Sequence, residues 1–147
     1  MPANYLYVGR LLQLRAHGRI TTDASAGNIL WTVRIAGSIN GFTSANLPMK
    51  NSITTMAWDL NLLLICRSIG NSTVATFFGQ GEFKSEATLA SAAPATSGSL
   101  SYALQHSAPA VGTGFNSVQA NTFDLMATMD SAGNTLICHG YTLMALN

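Results

Sequence analysis

The chain has 147 residues, of which 48% are hydrophobic and only 9% charged, with a formal net charge of +1. That length fits one domain, and a domain of this size buries roughly 70% of the surface its unfolded chain exposes, so neither a metal nor a disulfide is needed to hold a core. Charge this sparse, against about 25% in an ordinary globular chain, argues against counterion-release binding to nucleic acid. The longest apolar runs, residues 62–66 and 74–78, fall far short of the roughly 20 residues that span a bilayer. Residues 1–5, Met-Pro-Ala-Asn-Tyr, lack the basic region and apolar core of a signal peptide, so the chain is expected to stay in the compartment where it is made. High hydrophobicity with little net charge also excludes disorder.

The first predicted strand covers residues 5–20, where Leu12, Leu14, Ala16, Gly18 and Ile20 alternate with Gln13, Arg15, His17 and Arg19. Residues 1–10 are a candidate N-terminal arm. A small-residue turn over 23–28 leads to residues 29–35, where Ile29, Trp31, Val33 and Ile35 share a face, and the pair reads as an antiparallel hairpin. Residues 36–52 contain Gly37, Asn40, Gly41, Ser44, Asn46 and Pro48. They are expected to form a long connection with a short strand or turn, whose tip is a candidate contact loop.

The middle of the chain carries the clearest pattern. Trp58, Leu60, Leu62, Leu64 and Cys66 alternate with Asp59, Asn61, Leu63, Ile65 and Arg67, and five consecutive period-two matches favour strand over the helix that so many leucines suggest. A tight turn at Gly70-Asn71-Ser72 enters a β-branched and aromatic strand over 73–83, in which Gly79 and Gly81 signal a bulge or a close backbone approach. Residues 85–98 are mostly Ala, Ser, Thr and Pro, suited to an edge or an inter-subunit lining. Residues 100–105 are expected as one more short strand.

The chain closes on two alternating runs, 121–130 and 135–146, around the turn Ser131-Ala132-Gly133-Asn134. They read as a hairpin, with Phe123, Leu125, Ala127 and Met129 on its dry face and Thr122, Asp124 and Thr128 on the wet one. Together these strands predict a single all-β domain over residues 1–147, an antiparallel β-sandwich with Greek-key connections and little helix. Trp31, Trp58, Leu60, Leu62, Leu64, Phe123 and Leu125 are its expected core.

The chemistry-bearing residues are scattered. His17, His106 and His139 sit on separate segments, and Cys138 could pair as a nucleophile with His17 or His139 only by tertiary approach. Asp23, Asp59, Glu82, Glu86, Asp124 and Asp130 would need two members in one cleft to hydrolyse a glycoside. Adjacent strand residues face opposite ways, so Cys138 and His139 cannot chelate one ion in regular β geometry. Cys66 and Cys138 read as two reduced, mostly buried thiols or, if their strands are neighbours, as a disulfide. Gly79-Gln80-Gly81 lacks the rest of a phosphate-binding loop, and Asn71-Ser72-Thr73 fits a glycosylation sequon, a pattern short enough to occur by chance. Arg15, Arg34 and Arg67 would form one stripe if their strands were adjacent. No catalytic residue, cofactor or metal is assigned, and the chain reads as a non-enzyme.

In order and spacing, the opening strand (residues 11–20), the Trp31-Thr32-Val33-Arg34-Ile35 strand, the central words over 58–70 and 77–83, and the closing runs resemble a family of jelly-roll minor structural proteins of tailed bacteriophages. The resemblance implies a jelly-roll and a virion structural role, as a capsid decoration or cement protein that stabilises the head shell as a homotrimer. Its implied partners are other copies of the chain and the major capsid or other virion proteins, with no nucleic acid and no membrane. The implied location is the virion, assembled in the host bacterial cytoplasm. The alternative is a tail or baseplate appendage that binds a host receptor or glycan.

Overall fold

The structure, a computed structural model, describes residues 1–88, 100–105 and 112–147. Nine strands run through them: β1 (Leu11–Thr21), β2 (Asn28–Ile35), β3 (Ile39–Thr43), β4 (Leu47–Pro48), β5 (Met56–Ser68), β6 (Thr76–Ser85), β7 (Leu100–Gln105), β8 (Phe123–Met129) and β9 (Thr135–Ala145). Among the described residues there is no helix. All pairings between these strands are antiparallel, and they form two packed sheets, a β-sandwich. One sheet has five strands in the order β7-β6-β5-β1-β9; in the other, β2 carries β3 and β4 along one edge and β8 along the opposite edge.

Alternation decides which face of each strand is buried. Leu12, Leu14, Ala16 and Ile20 of β1, Leu60, Leu62, Leu64 and Cys66 of β5, and Ile29, Trp31, Val33 and Ile35 of β2 all point into the core. A one-residue slip of β5 would turn its whole apolar set to solvent, at about 1.5–3 kcal/mol for each large side chain, so its register is fixed by the pattern itself. At the centre, Trp31 from one sheet meets Trp58 and Phe83 from the other, with ring centroids 5.2 and 5.3 Å away. A second aromatic group stacks Phe77 on Phe115 and sets Phe123 edge-on against Phe77.

Two expected hairpins are absent. β1 pairs with β5 and β9, while β2 pairs with β3, β4 and β8, so the chain crosses between sheets at residues 22–27. It crosses again at 130–134, because β8 and β9 also lie in different sheets. A period-two pattern marks a strand with one dry face, but it is satisfied equally by strands lying side by side and by strands facing each other across a core. Polar side chains decide in favour of the crossing. Asn134 accepts from the Asp23 N–H at 3.0 Å and donates to the Ala26 carbonyl at 2.8 Å. Asp130 accepts from both the backbone and side-chain nitrogens of Asn28, at 2.9 and 2.8 Å, and the Ser131 hydroxyl donates to Asp23. The two corners therefore hold each other. Gly27 has φ +67° and lies against Asp130, where a Cβ would come within 2.6 Å of the aspartate Cβ.

Other expectations shift in detail. The first strand starts at Leu11, and residues 1–10 carry no strand, although Leu6 is buried in the core. Residues 36–52 hold two short strands and bury Phe42, Leu47 and Met49, so this connection is largely part of the core. Of the two readings of the β6 glycines, close backbone approach is observed at Gly81, where a Cβ would lie 2.1 Å from the Asn61 carbonyl oxygen; at Gly79 the close neighbour is a side chain, the Phe42 ring, 2.3 Å from such a Cβ. Beyond Thr88 the expected small-residue lining falls outside the described residues.

Candidate functional site

Two surfaces concentrate the chemistry of the molecule. The outer face of the five-stranded sheet collects most of the charge, because β1, β5 and β6 alternate in phase. His17 stands opposite Asp59, Asp59 opposite Lys84, and Asn61 opposite Glu82. Gln13 donates to Asn61 at 2.8 Å, and Lys84 pairs with Glu82 at 2.9 Å. The Ser101 hydroxyl also donates to Glu82; that hydrogen bond and Lys84 hold the carboxyl below its ordinary pKa, and Glu82 in turn raises Lys84. The ion pair of Lys84 with Glu82 lies along β6, and the hydrogen bonds of Gln13 to Asn61 and of Ser101 to Glu82 run across strands, as on a solvated sheet face.

The second surface is the side of the sandwich where β8 and β9 lie. Among the described residues each is an edge strand of its own sheet, and no strand joins them. Between them opens a cleft of about 340 Å³, lined by Trp31, Trp58, Phe123, Leu125, Leu136 and Tyr141 among others. The Trp58 indole N–H donates to the carbonyls of Arg19 and Ile137, at 3.1 and 3.2 Å. The Trp31 indole N–H is buried without a partner among the described residues.

A bulge positions the outer wall of this cleft. Along β9 the register with β1 shifts between His17 and Gly18, which oppose Gly140 and Cys138. His139 is the extra residue, and it moves the inward set from Leu136 and Cys138 to Tyr141 and Leu143. Gly18 is required where the strands close in. A Cβ there would lie 1.8 Å from the Ile137 carbonyl oxygen and 2.9 Å from the Trp58 ring.

The expected core residues divide at this cleft. Trp31, Trp58, Leu60, Leu62 and Leu64 are sealed, whereas Phe123 and Leu125 are only partly buried. Their strand has a neighbour on one side only. Ile137, Tyr141, Met144 and Leu146 are exposed large apolar residues, a feature that alternation alone did not reveal. The offset of the apolar set at His139-Gly140 is the signal from which the bulge could have been read.

The residues singled out in the sequence do not assemble. Asp23 and Asp130 accept backbone hydrogen bonds at the corners, Asp59 and Glu82 belong to the outer face, and Asp124 lies opposite Arg34 at the cleft. Cys138 lines the cleft, while His17 is on the solvent side of β1. His106 falls outside the described residues. Among the described residues no group of three His, Cys, Asp or Glu side chains could hold a metal ion, and no helix is long and apolar enough to cross a membrane. Arg15 and Arg67 share a sheet but Arg34 is in the other, so the three make no stripe.

Both cysteines are free, Cys66 buried and Cys138 exposed, which corrects the expectation that both are mostly buried. Burial pushes the Cys66 thiol above its ordinary pKa. Cys66 lies beside Arg10 and Cys138 beside Gly18, on opposite flanks of β1. Eight residues of strand separate those levels, about 26 Å at ~3.3 Å per residue, far beyond disulfide reach. Compared with protein-family models, curated proteins and solved structures, the chain matches none.

Proposed function

We propose that this protein is a structural component of a tailed-bacteriophage virion, a decoration or cement protein that reinforces the head shell as a homotrimer assembled in the bacterial cytoplasm. The observation that carries this reading is the open side of the sandwich, where exposed Ile137, Tyr141, Met144 and Leu146 accompany a stretch, residues 131–147, with no Asp, Glu, Lys or Arg. Exposed apolar side chains in a charge-depleted segment are characteristic of a protein–protein interface, and here they stand on both faces of β9, Tyr141 toward the cleft and Ile137 and Met144 on the outer face beside Arg19 and Gln13. A jelly-roll description is supported by the strand pairing: the first two strands lie beside the last two, β1 with β9 and β2 with β8, as the arms of a rolled ribbon do. The β5-β6-β7 meander is the part that departs from a plain roll.

In residues 36–52 the exposed positions, Ala36 to Ser38 and Asn46 among them, are those left for contact with the shell. Quantitative mass spectrometry of purified particles tests the role through copy number relative to the major capsid protein. Hundreds of copies support head decoration, and absence from the particle rejects a virion role. A few to a few dozen copies would favour the second reading, a tail or baseplate module that binds a host receptor or glycan. The aromatic cleft, with its unpartnered Trp31 indole N–H, favours that reading.

A further inference from the structure

We propose that the free edge of β9 is a homotypic docking surface, at which β9 of a second copy adds antiparallel about a two-fold axis at Leu143. The backbone supplies the first observation. Leu146 N–H donates to the Leu11 carbonyl at 2.9 Å, and alternation along an antiparallel ladder then turns the N–H and C=O groups of Tyr141, Leu143 and Ala145 away from β1. With the axis at Leu143, that residue faces itself, and Tyr141 faces Ala145 of the second copy. Every outward N–H then meets an outward carbonyl.

The identity of the occupant follows from charge. Residues 131–147 contain no Asp, Glu, Lys or Arg, so apposing this edge to itself brings no like charges together. The β8 edge differs in carrying charge, with Asp124 within the strand and Asp130 adjoining it. Exposed edges are ordinarily protected by lysine, proline or an inward charge. Residues 140–145 carry none of these, and the one blunting device, the bulge at His139, lies before them.

The side chains complete the match. Tyr141, 66% exposed, lines the cleft, and Leu143 packs partly against the core. A second β9 in register would continue that apolar layer across the seam, with the two clefts facing each other and Met144 set beside Thr142 of the other copy. The proposal depends on edge chemistry and does not rest on the virion reading. A two-fold contact demands an even number of protomers, so the homotrimer proposed above would pair through β9 into a hexamer, its three-fold contacts lying elsewhere on the protomer.

Light scattering on the full chain and on two variants tests this. Ala145→Pro removes an outward donor while leaving the β1 ladder intact, and Tyr141→Lys places a charge at the seam; near-ultraviolet circular dichroism from Trp31 and Trp58 checks that each variant keeps its core. The wild type should run as an even-numbered assembly, and each variant should halve its mass. Leu143→Cys in a Cys138→Ser background should form a covalent dimer on mild oxidation, since paired Cα atoms about 5.5 Å apart are within disulfide range. A wild-type monomer, an odd-numbered assembly, no crosslink at position 143, or an assembly that survives both folded variants would overturn the proposal, and so would a different protein occupying the edge of a monomeric chain.

Discussion

On the β5–β6 side of the sandwich, Leu60, Leu62, Leu64, Phe77 and Phe83 are at most 1% exposed. On the β8–β9 side, Phe123, Leu125, Leu136 and Leu143 follow equivalent alternation but are only partly buried. The residue types are alike, and the difference lies in their neighbours. β5 and β6 each have a strand on both flanks, whereas β8 and β9 each have one. An apolar side chain is sealed by what lies beside its strand as much as by what lies opposite. The closed side therefore holds the fold together, and the open side keeps apolar surface available for contact.

That contrast predicts unequal costs for similar substitutions. Leu62→Ala should lose about 2–5 kcal/mol, because its neighbours cannot collapse into the space. Leu125→Ala, next to an open cleft, should lose less than half as much; equal losses in urea titrations would erase the distinction between the sides. The corners that join the sheets come next. Asn134→Ala leaves the Asp23 N–H and the Ala26 carbonyl without their partner, and should cost about 1–3 kcal/mol. A loss within a few tenths of that for an exposed surface site would show that the two corners are not coupled through this side chain.

Thiol chemistry separates the sides with less disturbance to stability. Cys138 should react with an aromatic disulfide reagent in the native protein, while Cys66, buried and with its thiolate disfavoured, should react only as the chain unfolds. Simultaneous native-state labelling of both would contradict the closed side. The smallest effect belongs to the solvated face. Glu82 has a folded-state pKa below its ordinary value, so its contribution is complete above the ordinary carboxylate range and is lost as pH falls through the folded value. Both partners are exposed to solvent and screened, so Glu82→Gln should flatten the acid limb of stability only slightly. A large change there would mean that the outer-face network carries more than its exposure implies.

The sequence alone determined the central strands and their dry faces. The alternation of Leu60, Leu62 and Leu64, and that of Ile29, Trp31 and Val33, leaves one economical way to bury them, because successive side chains of a strand point to opposite faces. For the glycines of β6 it offered either a bulge or a close backbone approach, and only the structure chose between them. Pairing was not legible in the same way. The segments around residues 22–27 and 130–134 carry turn residues that suit a hairpin as well as a corner, and the choice rests on contacts between Asp23, Asn28, Asp130 and Asn134, residues up to 111 positions apart. Only the tertiary structure could decide that β8 and β9 are edges of different sheets, and hence that Phe123 and Leu125 border a cleft. Periodicity is a property of one strand, whereas burial and an open edge depend on which strands come to lie beside it.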